Sequence, residues 1–293
     1  MGNLRASLSV AMLALLALLA PAACGNDSAS TPVDALTIVD AADPDAAIDA
    51  PPPPDAAPVY DFSCVTNTAP ITAPATLTLA GTVQEIFLDL ATFMPGIRPS
   101  VSASLTACVA DCMGQDNLAS AGPTPTAGTF TTPALATSGT PLDGYLKVAK
   151  MGNQPTWVYP AYPLSTSLAN IPVLMMDSFV YNNINQAPGV SHTAGNAIVV
   201  AFVTDCANTP VAGATVTVTR GGTAVGDPVQ DASSFGQQAA GGYLAFDIAP
   251  DASNAAPATV ISATYNGTTF LSRTVRAVGN TLSISQIKPG YPN

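Results

Sequence analysis

Ala214-Thr215-Val216-Thr217-Val218-Thr219 is the stretch that decides the fold class. Its apolar and hydroxyl side chains alternate with a period of two, the repeat of a strand with one buried face. The valines are therefore expected in a core and the threonines in solvent. Working outward, Leu244, Phe246 and Ile248 repeat the pattern, and Leu282 and Ile284 repeat it again. Between the strand-like runs 259–265 and 268–275 stands Asn266-Gly267, the dipeptide that tolerates positive φ at both central positions of a type I′ hairpin turn. Upstream, 76–80, 83–90, 101–108 and 145–149 read as further strands, and helical periodicity is scarce. Only 9% of the residues are charged, and small or β-branched residues fill nearly every window, as in secreted β-rich modules. The chain reads as all-β, with antiparallel pairing as the leading architecture.

The expected organisation is two tandem Ig-like or prealbumin-like β-sandwiches, one over 62–186 and one over 187–293, with Gln186-Ala187-Pro188-Gly189 at the boundary. In the second, the apolar run 198–203 meets Thr204-Asp205. Thr209-Pro210-Val211-Ala212-Gly213-Ala214-Thr215-Val216 then begins the next strand, and Gly241-Gly242-Tyr243-Leu244 opens a later one. This order resembles the carboxypeptidase regulatory-like, or transthyretin-like, domain. The resemblance implies a β-sandwich often attached to enzymes and surface proteins as a stabilising or contact domain, and implies no activity of its own. Asp143-Gly144-Tyr145-Leu146 echoes the second tyrosine motif, and Ala80-Gly81-Thr82-Val83 reads as the start of a diverged copy. Residues 155–176, rich in aromatics and prolines, read as an irregular packed segment or an edge strand.

The N-terminus reads as an export address. Arg5 precedes an apolar run from Leu8 to Ala20, which is too short to span a bilayer of about 30 Å but suits a cleavable signal. Leu18-Leu19-Ala20-Pro21-Ala22-Ala23-Cys24-Gly25 resembles the lipobox of bacterial lipoproteins. That resemblance implies removal of residues 1–23, lipidation of Cys24 and, with Gly25 following, an outer-membrane or cell-surface location. The other reading is an ordinary secretory signal cut after Ala22 or Ala23, with Cys24 left as a thiol. Residues 24–61 form the expected disordered linker: from Gly25 to Asp61 there are eight aspartates, nine alanines, seven prolines and no lysine or arginine. Such a spacer reaches about 35 Å as a coil and about 115 Å when polyproline-like. It also carries eight of the negative charges behind the net charge of -11, leaving eleven acidic against seven scattered basic residues from Phe62 onward. Nucleic acid is excluded as a partner on that distribution.

With Cys24 given to lipid, four of the five cysteines remain, the even number an oxidising compartment favours. Cys64, Cys108, Cys112 and Cys206 allow three pairings. Cys108 with Cys112 is expected, because the two share a local turn before Met113-Gly114, and Cys64 with Cys206 then follows. The first bond demands a reversal, since an extended strand would hold its α-carbons about 13 Å apart. A zinc site is disfavoured by the lack of any Cys-x-x-Cys doublet.

Catalytic residue sets are sparse. His192 is the sole histidine, in a Ser-His-Thr-Ala-Gly loop where a solvated role is expected, and there is no Gly-x-Ser-x-Gly elbow. Ser285-Gln286-Ile287-Lys288 matches a Ser-x-x-Lys pattern but closes a strand and runs into Pro289. Glu85 and Asp89 on one strand would stand about 13 Å apart. No cofactor or metal is expected. The expected function is a membrane-anchored, envelope- or surface-exposed, non-enzymatic lipoprotein acting as a binding or adhesion module. An accessory structural role is the alternative, and a hydrolase a distant third. Candidate contacts for a protein or carbohydrate ligand are Tyr145, Trp157, Tyr159 and Tyr162. Their exposure would favour binding and their burial the accessory role.

Overall fold

The computed structural model describes residues 58–89, 94–184, 190–231, 241–252 and 258–292. The expected signal peptide, Cys24, the linker up to residue 57 and the boundary at Gln186-Ala187-Pro188-Gly189 lie outside the described residues. Residues from Asp61 onward belong to one unit of internal contacts. Its first half holds β1 (Thr76–Leu77), β2 (Leu79–Asp89), β3 (Met94–Pro99), β4 (Ser104–Cys108), β5 (Asn117–Ala121), β6 (Thr129–Thr131) and β7 (Leu135–Ala136). There follow β8 (Tyr145–Ala149), β9 (Asn153–Gln154), β10 (Thr156–Tyr159), β11 (Leu168–Asp177) and the short helix α1 (Ser178–Asn182). The second half holds β12 (Ala197–Val203), β13 (Thr215–Arg220), β14 (Thr223–Ala224), β15 (Gln230–Asp231) and β16 (Gly242–Ile248). It ends with β17 (Thr259–Tyr265), β18 (Thr268–Thr269), β19 (Arg273–Val275) and β20 (Leu282–Ile287). No helix among the described residues is long and apolar enough to cross a membrane.

The strands assemble around one eight-stranded sheet in the order β15-β16-β12-β20-β10-β8-β4-β5. A second sheet, β3-β2-β11-β9 with β6 on β2, packs on one face. Along β2 and β11, Val83, Val173 and Met175 meet Leu105, Leu146 and Val148. Further on, Ile86 and Met176 join Tyr181 of α1 over Ile198, Val200, Phe246 and Leu282. Two long strands thus serve two successive cores, each fully buried Leu, Ile, Val or Met side chain contributing about 1.5–3 kcal/mol before chain entropy is counted. The opposite face of β12 is buried too, at Ala197, Val199, Ala201 and Val203. Burial on both sides explains why its sequence is an unbroken apolar run. On that side β17 and β19 of a third sheet, β14-β13-β17-β18 with β19 on β17, contact β20.

The fold class is as read from the sequence. In β13, Val216 and Val218 are buried while Thr215 and Thr217 are exposed. Asn266 and Gly267 have φ of 47° and 82°, and Tyr265 pairs with Thr268 across them. Two expectations need correction. The pairs β2/β11, β10/β20 and β12/β20 are parallel; in the large sheet β20 inserts between β12 and β10 along their direction, and in the second sheet β11 returns alongside β2, long-range choices that local periodicity does not encode. Of residues 155–176, β10 is an interior strand between β8 and β20, whereas 160–167 lie outside the strands and β11 is paired with β2 alone until Met176 and Asp177 meet β9. The prolines at 155, 160 and 163 flank β10 instead of interrupting it. The line at 186/187 runs through the large sheet, with β4, β5, β8 and β10 before it and β12, β15, β16 and β20 after it.

Two disulfides close the body. Cys64 and Cys206 are bonded with α-carbons 5.7 Å apart across 142 residues. Around them the Asp61 amide donates to Asp205 Oδ2 at 2.8 Å, the Cys206 amide donates to the Asp61 carbonyl at 2.9 Å, and Asn67 Nδ2 donates to the Tyr291 carbonyl at 2.8 Å. Cys108 and Cys112 are bonded with α-carbons 4.8 Å apart. The required reversal is supplied by positive φ at Ala110 and Cys112.

Candidate functional site

β8 and β10 are adjacent and antiparallel, with Trp157 opposite Lys147 and Val158 opposite Leu146. Alternation sends Leu146 and Val148 into the core beneath the second sheet, and places Tyr145, Lys147, Trp157 and Tyr159 on the other face. There Tyr145 stacks on Trp157 with centroids 4.9 Å apart and planes 7° apart, and on Tyr159 at 5.1 Å. These three candidate residues are brought together but are buried, at 7%, 7% and 4% exposure. Tyr162 is half-buried, lies outside the stack and contacts Tyr291 at 5.6 Å.

Cations frame the stack. The Arg276 guanidinium lies 5.7 Å from the Trp157 ring centroid, Lys147 Nζ lies 5.9 Å from the same ring, and the Arg273 guanidinium lies 5.8 Å from the Tyr159 ring. The Arg276 amide donates to the Tyr159 hydroxyl at 3.1 Å, fixing β19's continuation against β10. Arg273 Nη2 pairs with Asp143 Oδ1 at 2.6 Å and donates to the Gly144 carbonyl at 3.4 Å. The Tyr145 hydroxyl donates to the Ala110 carbonyl at 3.2 Å, tying the stack to the small disulfide loop. Burial pushes the Tyr159 phenol far above its ordinary range, and burial likewise raises Tyr145. Both stay neutral and serve as hydrogen-bonding walls, not as bases.

Trp157 Nε1 and the Nε and Nη2 of Arg276 are buried with no hydrogen-bond partner among the described residues. An unsatisfied buried donor costs about 1–3 kcal/mol, more when charged. The chemistry of this donor set suits an oxygen acceptor, above all an anionic one. Sequence reasoning found the aromatics and missed Lys147, Arg273 and Arg276. The two arginines come from β19 and the residue that follows it, more than 100 residues away, which no local pattern links to Trp157.

The remaining sequence candidates are occupied elsewhere. Ser285 is fully buried and donates to the Tyr159 carbonyl at 3.4 Å. Glu85, 2% exposed, takes Arg98 on one oxygen at 2.5 Å and Lys150 on the other. Burial works to raise its pKa, but the hydrogen bonds from Lys150 and Arg98 outweigh this and hold it below the ordinary glutamate value. His192 corrects the expectation of a solvated residue: both ring nitrogens are buried, and the ring packs edge-on to Tyr181 at 4.7 Å. Its loop is drawn in where the Thr193 amide donates to Asp247 Oδ1 at 2.6 Å. No cluster of metal-ligating side chains occurs among the described residues.

The fold and site together define a multilayered β-sandwich with a buried aromatic and cationic cluster. No family model and no curated protein matches the chain. Among solved structures, it is similar to the shaft pilin spaA from Lactobacillus rhamnosus GG, at 16% identity over 74% of this chain and 99% of that one, with a TM-score of 0.22. A type II cohesin-X-dockerin complex from Acetivibrio cellulolyticus matches at 20% identity and a TM-score of 0.23, covering 34% of this chain, which spans 58% of that one. The Bacillus anthracis TIE protein matches at 11% identity over 74% of this chain and 34% of that one, with a TM-score of 0.21. At these scores none of the likenesses assigns a function to this chain.

Proposed function

We propose that the protein is an exported, lipid-anchored, non-enzymatic module that presents a disulfide-stapled β-sandwich body at an outer membrane or cell surface, for binding or adhesion. The observation that supports this reading most is the clamp at the start of the body. Residues that follow the acidic spacer are fastened by Cys64–Cys206 and by Asp61 to the far end of β12, so a pull arriving from a membrane anchor enters a covalently closed sheet. A disulfide of this kind persists in an oxidising compartment, in keeping with an export signal. In this reading residues 1–23 are removed, Cys24 carries the lipid, 24–61 is the spacer, and 62–186 and 187–293 are two related sandwich halves of carboxypeptidase regulatory-like type. The relation between halves is supported by Tyr145 and Tyr243. Tyr145 is the first residue of β8 and Tyr243 the second of β16, and each sends its hydroxyl to a carbonyl 35 or 32 residues upstream.

An accessory structural role is favoured over adhesion by one observation, the burial of Tyr145, Trp157 and Tyr159. Anchoring is tested with Cys24→Ser. The parent protein is expected in the detergent-extractable membrane fraction and the variant in the soluble fraction; equal partitioning of the two would overturn the anchor.

A further inference from the structure

Seven basic residues lie beyond Phe62, and Arg98, Lys150, Arg220 and Arg273 are each in an ion pair. Of the three that form no ion pair among the described residues, Lys147 and Arg276 both face the indole of Trp157. In an acidic protein, two cations without carboxylates converge on one ring. Arg276 is 2% exposed, and its Nε and Nη2, like Trp157 Nε1, have no acceptor. Asp111 and Asp116 both act on Tyr145 from the disulfide loop and the turn after it; Asp111 Oδ1 accepts the Met113 amide at 2.9 Å, and neither carboxylate forms an ion pair with Lys147 or Arg276 among the described residues.

We propose that Arg276, Lys147 and Trp157 form a binding site for a side-chain carboxylate of an acidic peptide on a partner protein. This rests on the binding reading above and names its ligand chemistry. The Arg276 guanidinium lies 5.7 Å from the Trp157 ring centroid, and its Nε and Nη2 and the indole N–H are donors that a carboxylate can take up, with Lys147, only partly buried, on the solvent side. A sugar fits less well. Carbohydrate recognition needs an exposed aromatic face, whereas Trp157 spends one face on Tyr145 and is only 7% exposed. Desolvation around Arg276 strengthens its interaction with a carboxylate.

Trp157 is the only tryptophan, so its fluorescence reports the site directly. The purified protein is titrated with acetyl-Ala-Glu-Ala-amide, with the Gln analogue, and with glucuronate. The expected result is a saturable change in emission with the Glu peptide alone, weakened about tenfold or more by Arg276→Met. Because a buried substitution can prevent folding, Lys147→Gln at the rim is run in parallel. It is expected to weaken binding several-fold and to flatten its salt dependence. An equal response to the Gln peptide, a response to glucuronate in place of the peptide, or no saturable change would each overturn the proposal. Membrane partitioning of Cys24→Ser is scored separately, so failure here leaves the anchor reading standing.

Discussion

Glu85 shows what a single buried carboxylate does in this body. It binds Arg98 from β3 and Lys150 from the turn after β8, joining two sheets through one side chain. Glu85→Gln removes the charge but not the volume and leaves two partly exposed cations unpaired; thermal or urea unfolding is expected to show a loss of about 2–3 kcal/mol. His192 supplies a pH test. Burial lowers its pKa, partly opposed by the negative charge of Asp247. The folded state therefore prefers the neutral ring. Its contribution is complete above the unfolded value of about 6.5 and is lost as pH falls toward the lower folded value. Melting temperature is expected to drop between about pH 7.5 and pH 5.5, and His192→Phe, which keeps the edge contact with Tyr181, should remove that part of the drop. Both cysteine pairs were legible at this scale, because count and spacing leave few options. The environment of His192 was not, since its burial depends on Asp247 more than 50 residues away.

Among elements, the β17/β18 hairpin was the most legible, since Asn266-Gly267 names its turn type from two residues. Gly267 has a φ of 82° and open space around its α-carbon. Gly267→Ala is thus expected to cost only the backbone conformational penalty, about 1–2 kcal/mol. Gly81 is a different case: an added Cβ would stand 2.1 Å from the Ile171 carbonyl oxygen, where β2 and β11 pair. Gly81→Ala should cost more, about 2–4 kcal/mol, read as a lower urea midpoint with an unchanged slope. The one-face-buried strands were readable because alternation is local. The β2/β11 and β10/β20 pairings were not, as parallel partners are chosen by distant segments competing for the same buried edge.

For the whole molecule, the sheet that joins strands from both halves and the 142-residue disulfide loop make the described body one mechanical piece. Replacing Cys64 and Cys206 by alanine should lower stability by about 5 kcal/mol, because a loop of this length removes much entropy from the unfolded chain. Removing Cys108–Cys112, a loop of four, should cost less. Composition and alternation gave the fold class. The cationic half of the candidate site came only from tertiary contact, where β19's end crosses the face of β10. The most direct test of the account is the intact mass of the membrane-extracted protein with and without reductant. The account predicts a chain beginning at Cys24 with added acyl mass, which gains four hydrogens on reduction of its two disulfides. A chain lacking residues 1–23 but carrying no acyl mass would contradict it.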